Sequence, residues 1–297
     1  MTTAFVLSGG GSLGAVQVGM LQALAARGVE PDMLVGTSAG ALNAAWVAGH
    51  GTSTQSLAGL ARVWVGLRRR DVFPLDARAA LRGVLGRSPA VSSPDRLRQL
   101  VATNAGIVTF DEARIPLHLV AADLLSGQNV TISSGPLIRG VLASSAIPGV
   151  FPPVTVNGRH LIDGGVAEHT GITQAVGLGA TVIYVLTAGT PCALLTPPSS
   201  AIGTAVQALT LLIEQRLARE ISDLAGTTTI KVLPPLCPLS TSAVDFSRGA
   251  ELISRARRAS LDWMAHGNID LPEPERFLAL HRHHPKPPTR HPSGFIR

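Results

Sequence analysis

A chain of 297 residues has room for one large domain or two small ones, with a core that removes roughly three quarters of the unfolded surface from water. Hydrophobic residues make up 45% and charged residues 15%. Even so, no apolar run reaches the ~18 residues of a membrane-spanning helix; the nearest candidate, residues 201–213, is interrupted by Gly203, Thr204, Gln207 and Thr210. The net charge of +6 comes with few aromatics and no recognition motif, which argues against nucleic-acid binding. Cys192 and Cys237 have neither metal-ligand spacing nor a disulfide framework, and two idle or buried thiols are expected. No basic residue precedes the first apolar run, so no secretory signal is read and the expected compartment is the cytoplasm.

In chain order, residues 4–7 predict a strand that runs into Gly9, Gly10, Gly11 and Gly14. Val18, Leu21, Leu24 and Ala25 then give a helix with an apolar stripe, and Gly28 stops it. Residues 33–35 predict a second strand, ending in Gly36-Thr37-Ser38-Ala39-Gly40 before another helix. This alternation predicts an α/β fold with a mostly parallel central sheet flanked by helices. Residues 52–105 depart from it: short helices broken by Pro74, Pro89 and Pro94 predict a helical cap-like segment. Within it, residues 62–98 hold nine arginines against Asp71, Asp76 and Asp95, as much net charge as the whole chain. An ordinary solvated surface and attraction to an anionic membrane face fit this equally. In the second case Trp64, Val72, Phe73 and Leu75 would enter the interface. Residues 116–122 and 128–132 read as strands joined across Ser126-Gly127, and 136–143 as a helix. Residues 154–156 and 159–162 read as a hairpin around Asn157-Gly158. A buried strand follows at 181–186, then helices at 201–224 and 245–266 with a strand at 229–233 between them. The folded domain is expected to cover residues 1–270, with 271–297, rich in Pro, His and Arg, as a disordered tail.

Gly-x-Ser-x-Gly between a strand and a helix is the pattern of a nucleophile elbow. The glycines permit a sharp turn, and Ser38 stands at a helix N-terminus, where the dipole favours developing negative charge. The first glycine cluster also fits the G-x-G-x-x-G of dinucleotide-binding folds. That reading requires an acidic residue at the tip of the second strand, and Gly36-Thr37-Ser38 stands there instead. Glycine amides open to a tetrahedral intermediate, an oxyanion hole, explain the loop better than a dinucleotide site or a plain tight turn. A serine nucleophile needs a base. Asp163 ends an apolar run at 160–162 and precedes Gly164-Gly165, which leave room for substrate. Alone, such an aspartate is as readily a turn cap; beside the other two motifs it is a base.

These motifs resemble those of the patatin-like phospholipases, serine lipid acyl hydrolases with a Ser–Asp dyad. The resemblance spans residues 4–186 and rests on four blocks in order: the glycine loop, the Gly36–Gly40 elbow, the run from Ala143 through Ser144, Ser145, Ala146, Ile147 and Pro148 to Pro153, and Asp163-Gly164-Gly165. It implies a three-layer fold and Ser38 as nucleophile with Asp163 as base. It also implies an oxyanion hole from the amides of Gly9, Gly10 and Gly11, a motif supported by Gly14, Gly36, Gly40, Gly164 and Gly165, and a lipid or acyl-ester substrate with no metal or organic cofactor. Three positions depart from the family's pattern: Leu13 replaces a basic residue, His169 an asparagine and Gly171 a proline. His169 is expected to hold a loop as a neutral donor rather than assist Asp163. Transfer of the acyl group to another acceptor, or a weakly active lipid-binding role hinted at by Leu13, remain as other readings.

Overall fold

The computed structural model describes residues 1–74, 88–167, 171–224 and 226–270. In chain order the strands are β1 (Thr3–Leu7), β2 (Met33–Gly36), β3 (Leu117–Asp123), β4 (Asn129–Ile132), β5 (Val154–Val156), β6 (Arg159–Asp163), β7 (Val182–Leu186) and β8 (Thr229–Val232). The helices are α1 (Gly14–Ala26), α2 (Ala39–His50), α3 (Thr54–Gly66), α4 (Arg69–Val72), α5 (Asp95–Asn104), α6 (Leu137–Ser144), α7 (Ile172–Gly177), α8 (Ala201–Asp223) and α9 (Gly249–Ala265).

One sheet runs in the order β5-β6-β3-β2-β1-β7-β8, with β4 paired to β3. β1, β2, β3, β7 and β8 are parallel, and β4, β5 and β6 add antiparallel pairs around β3. Both faces are covered, so the central strands are apolar on both sides instead of alternating with polar residues. Phe5, Leu7, Leu34, Leu119 and Leu186 point into the larger core. Ala4, Val6, Val35, Val120, Ile183 and Val185 point to the other, where Ile172, Ala175, Leu217 and Ile221 of α7 and α8 cover them.

α1 differs from its expected form. Its residues are buried almost all round, from Gly14 through Leu21 and on to Ala23 and Leu24, so no polar face exists. A helix apolar on every side is a core helix. Gly19 permits this: a Cβ there would lie 2.3 Å from the Ile253 carbonyl oxygen of α9.

The register around β3 positions the site. Leu119 pairs with Gly36 on one edge and Ile132 on the other, and Ala121 pairs with Asp163 and Val130. β4 therefore takes one edge of β3, while β2 and β6 share the opposite edge and meet tip to tip. The ends of β2 and β6 are two β3 residues apart, about 7 Å. This brings Ser38 and Asp163 together although 124 residues lie between them in the sequence.

Candidate active site

Ser38 adopts φ 55°, ψ −119°, a backbone conformation uncommon for a residue with a side chain. Gly40 explains how the turn closes: a Cβ there would lie 2.1 Å from the Leu7 carbonyl oxygen. Gly36 also packs closely on Ala41, at 2.8 Å, and Gly14 on the Trp64 ring, at 2.6 Å, for a Cβ built at each. The elbow is held by two serines that end α6. Ser144 Oγ accepts from the Ser38 amide at 3.0 Å and donates to the Val120 carbonyl at 2.7 Å. Ser145 Oγ donates to the Ser38 carbonyl at 3.3 Å.

Asp163 is wholly buried. Its amide donates to the Ala146 carbonyl at 2.9 Å, and its Oδ1 accepts from the Gly165 amide at 2.8 Å. Oδ2 has no partner of ordinary hydrogen-bond geometry. Burial raises the Asp163 pKa to about 6, against the opposing pull of the nearby Ser38 hydroxyl and the Gly165 amide. Ser38 is thus near enough to act on the carboxylate, yet its geometry falls short of a full bond; catalytic contacts commonly tighten only when substrate binds. A carboxylate with one free oxygen and a pKa near neutrality can accept a proton from a neighbouring hydroxyl.

The glycine loop lies alongside. A Cβ on Gly9 would sit 3.1 Å from Ser38 Cβ, and Gly10 presses on Ala188. Gly11 has φ +59° and lies against the Ala243 carbonyl, a place open only to glycine. Among the described residues, the amides of Gly9, Gly10 and Gly11 donate to no acceptor, and neither does that of Ala39 after Ser38. Free amides beside a serine can stabilise an oxyanion. A buried polar chain fixes the loop's ends. Trp64 Nε1 donates to Asn43 Oδ1 (2.7 Å), Asn43 Nδ2 to Gln17 Oε1 (2.8 Å), and Gln17 Nε2 to the Ser8 and Leu186 carbonyls (2.7 and 3.0 Å).

Ser38 faces an apolar cavity with about 400 Å³ of empty space, including its open mouth. Gly11, Leu42, Trp64, Leu67, Phe73, Ile147, Phe151 and Phe246 are among its lining residues. Trp64, Val72 and Phe73, expected at a membrane interface, are instead buried in this wall. Phe73 is fixed by ring contacts, stacking on Phe151 at 5.8 Å and tilting against Phe246 at 6.1 Å. Leu75 and His169 lie outside the described residues, as does the segment 271–297.

The sequence reading placed the helix α8 but not its part in the site. Ile213 touches the positions of Gly9 and Gly165. Arg216 Nη1 donates to the carbonyls of Gly165, Val166 and Ala167, clamping the turn after Asp163. Glu214 accepts from Thr187 Oγ1 at 3.0 Å, and burial raises its pKa to about 7. Leu13 is fully buried, so the position where the family carries a basic residue here packs in the core. Gly171 has φ +123°, which the proline ring cannot adopt. Cys192 is buried and Cys237 exposed, their sulfurs 3.9 Å apart; the pair is brought together only by the fold. Among the described residues no group of three or more metal-ligating side chains occurs, and no helix is long and apolar enough to cross a membrane.

The model for the patatin-like phospholipase family matches residues 5–176. An uncharacterized NTE family protein of Mycobacterium tuberculosis H37Rv is 33% identical over 178 residues, which are 60% of this chain and 46% of the relative. Lysophospholipase nte1 of Aspergillus terreus is 28% identical over 196 residues, 62% of this chain and 12% of the fungal protein. Among solved structures, VipD from Legionella pneumophila aligns over 93% of this chain and 66% of its own, at 15% identity and a TM-score of 0.42. The matched region is less than half the length of these curated relatives. With the family model covering more than half of its residues, the chain belongs to the patatin-like phospholipase family.

Proposed function

We propose that this chain is a serine acyl hydrolase of the esterase or phospholipase A type, cleaving acyl esters of lipids. The observation that carries the reading is the meeting of a strained Ser38 at an apolar cavity with a buried Asp163 whose Oδ2 is unpaired. In this mechanism Ser38 Oγ attacks the ester carbonyl while Asp163 Oδ2 takes its proton. The carbonyl oxygen gains negative charge toward the amides of Gly9, Gly10 and Gly11, which need no rearrangement to receive it. The tetrahedral intermediate collapses, and the leaving alcohol takes the proton from Asp163. Water, deprotonated by the same carboxylate, then attacks the Ser38 acyl ester and releases the fatty acid and free Ser38. The apolar cavity holds the acyl chain, whose methylenes each contribute roughly 0.8 kcal/mol on leaving water.

A short soluble ester and a mixed lipid preparation test this, with released products identified for the native chain and Ser38→Ala. The native chain releases fatty acid, and Ser38→Ala loses several orders of magnitude in rate, as expected when one member of a catalytic unit is removed. Retention of more than about a tenth of the activity removes Ser38 from the role of nucleophile.

A further inference from the structure

An open cleft lies beyond the far side of the Ser38 cavity wall. Arg69, Arg70 and Asp71 of α4 and Arg96 of α5 line it together with Phe73 and Pro74. Phe73 also lines the apolar cavity that contains Ser38. One aromatic side chain therefore separates a greasy slot at the nucleophile from a basic cleft.

The charges in the cleft are unbalanced. Among the described residues none of the three guanidiniums forms a salt bridge, and Arg69 Nε is buried with no hydrogen-bond partner. Among the described residues Asp71 is the one carboxylate lining the cleft; its Oδ2 accepts from the Arg68 amide at 2.8 Å, capping α4. Converging arginines match phosphate oxygens in geometry as well as charge. The cleft is also braced: Ser92 Oγ donates to the Pro74 carbonyl at 3.0 Å, and the amides of Val91 and Ser92 donate to the Gly149 and Val150 carbonyls. The segment bearing Pro74 and the stretch bearing Phe151 are thus tied together around Phe73.

We propose that the Arg69–Arg70–Arg96 cleft binds the phosphate of a phospholipid whose acyl ester lies at Ser38. This rests on the hydrolase reading above and names its substrate class: phosphate-bearing lipids in preference to neutral glycerides. In such a lipid only the glycerol unit separates acyl ester from phosphate, matching two spaces divided by a single ring.

The test compares lysophosphatidylglycerol with monoacylglycerol of the same chain, each in neutral detergent micelles so that surface charge stays low. Native chain, Arg69→Gln, Arg96→Gln and the double variant are measured, with thermal melts alongside. Hydrogen bonds to charged groups are strong enough that each substitution lowers the phospholipid-to-glyceride ratio of kcat/KM by about tenfold. Arg96 is exposed on α5, so its variant keeps the test alive if Arg69→Gln fails to fold. An unchanged ratio, whether both substrates fall together or neither does, overturns the proposal, and so does a native chain that prefers the neutral glyceride. Inorganic phosphate is added in a separate arm with the soluble ester. Arginine-dependent phosphate binding without any change in the lipid ratio assigns the cleft to free phosphate and also overturns the proposal. If the native chain cleaves no ester and Ser38 takes no fluorophosphonate, the hydrolase reading itself has failed, and this one falls with it.

Discussion

At the scale of single residues, the site combines strain with desolvation, and both cost stability. The rise of the Asp163 pKa from 3.8 to about 6 is worth roughly 3 kcal/mol against the folded state at neutral pH. Asp163→Asn is therefore expected to abolish ester hydrolysis while raising the melting temperature at pH 7.5. An inactive variant that melts lower than the native chain would contradict this. Because the base must be ionised, kcat/KM for a short soluble ester should fall as pH drops through about 6. That limb should persist in Glu214→Gln, since Glu214 bonds Thr187 and not the nucleophile. Ser144→Ala leaves the Ser38 amide and the Val120 carbonyl without their partner, at about 1–3 kcal/mol for each group that stays buried. Denaturant unfolding should show that loss, with kcat reduced more than KM is raised. Ser38 and Asp163 were legible in the sequence as candidates because each proposed role calls for one residue type framed by glycines. Ser144, Arg216 and Glu214 were not, since the groups they hold are brought near only by the fold.

At the scale of elements, the decisive arrangement is that β2 and β6 share one edge of β3 and present Ser38 and Asp163 at their meeting tips. Strand positions could be read from short apolar runs, and the hairpin from Asn157-Gly158. The shared edge could not, because register depends on pairings among strands distant in sequence. The stripe expected on α1 failed for a related reason: helix periodicity shows which face is most apolar, not whether a second helix covers the other one. The segment after α2 lends Trp64, Leu67 and Phe73 to the cavity wall; residues 75–87 of the expected cap lie outside the described residues. Leu42, Trp64 and Leu67 also border a second apolar space between α2, α3 and α5. They form a partition between the two spaces. Leu67→Ala should join the spaces and move the preferred acyl length upward, measured as kcat/KM along a series of esters from four to sixteen carbons. A uniform change at all lengths would show that Leu67 acts only through stability.

At the scale of the whole molecule, two buried carboxylates contribute a pH dependence opposite in sign to that of Asp123 and Glu251, whose pKa values are lowered. Asp163 and Glu214 both have folded pKa values above the ordinary carboxylate range. The folded state then binds protons more tightly than the unfolded chain, so their destabilising effect is absent below about pH 4 and complete above about pH 7. Between those limits stability contributed by these groups falls as pH rises. The double variant Asp163→Asn with Glu214→Gln should therefore gain more over the native chain at pH 7.5 than at pH 4.5, by several kcal/mol in order of magnitude. Equal gains at both pH values would contradict the burial argument. The same fold that imposes these costs brings Ser38, Asp163 and the free glycine amides to one end of the sheet. The central claim is that Ser38 is the nucleophile, and the most direct measurement is treatment of the folded chain with a fluorophosphonate, followed by intact mass and peptide mapping. One adduct on Ser38, absent from Ser38→Ala, is the predicted result; no adduct, or an adduct that persists in Ser38→Ala, contradicts it.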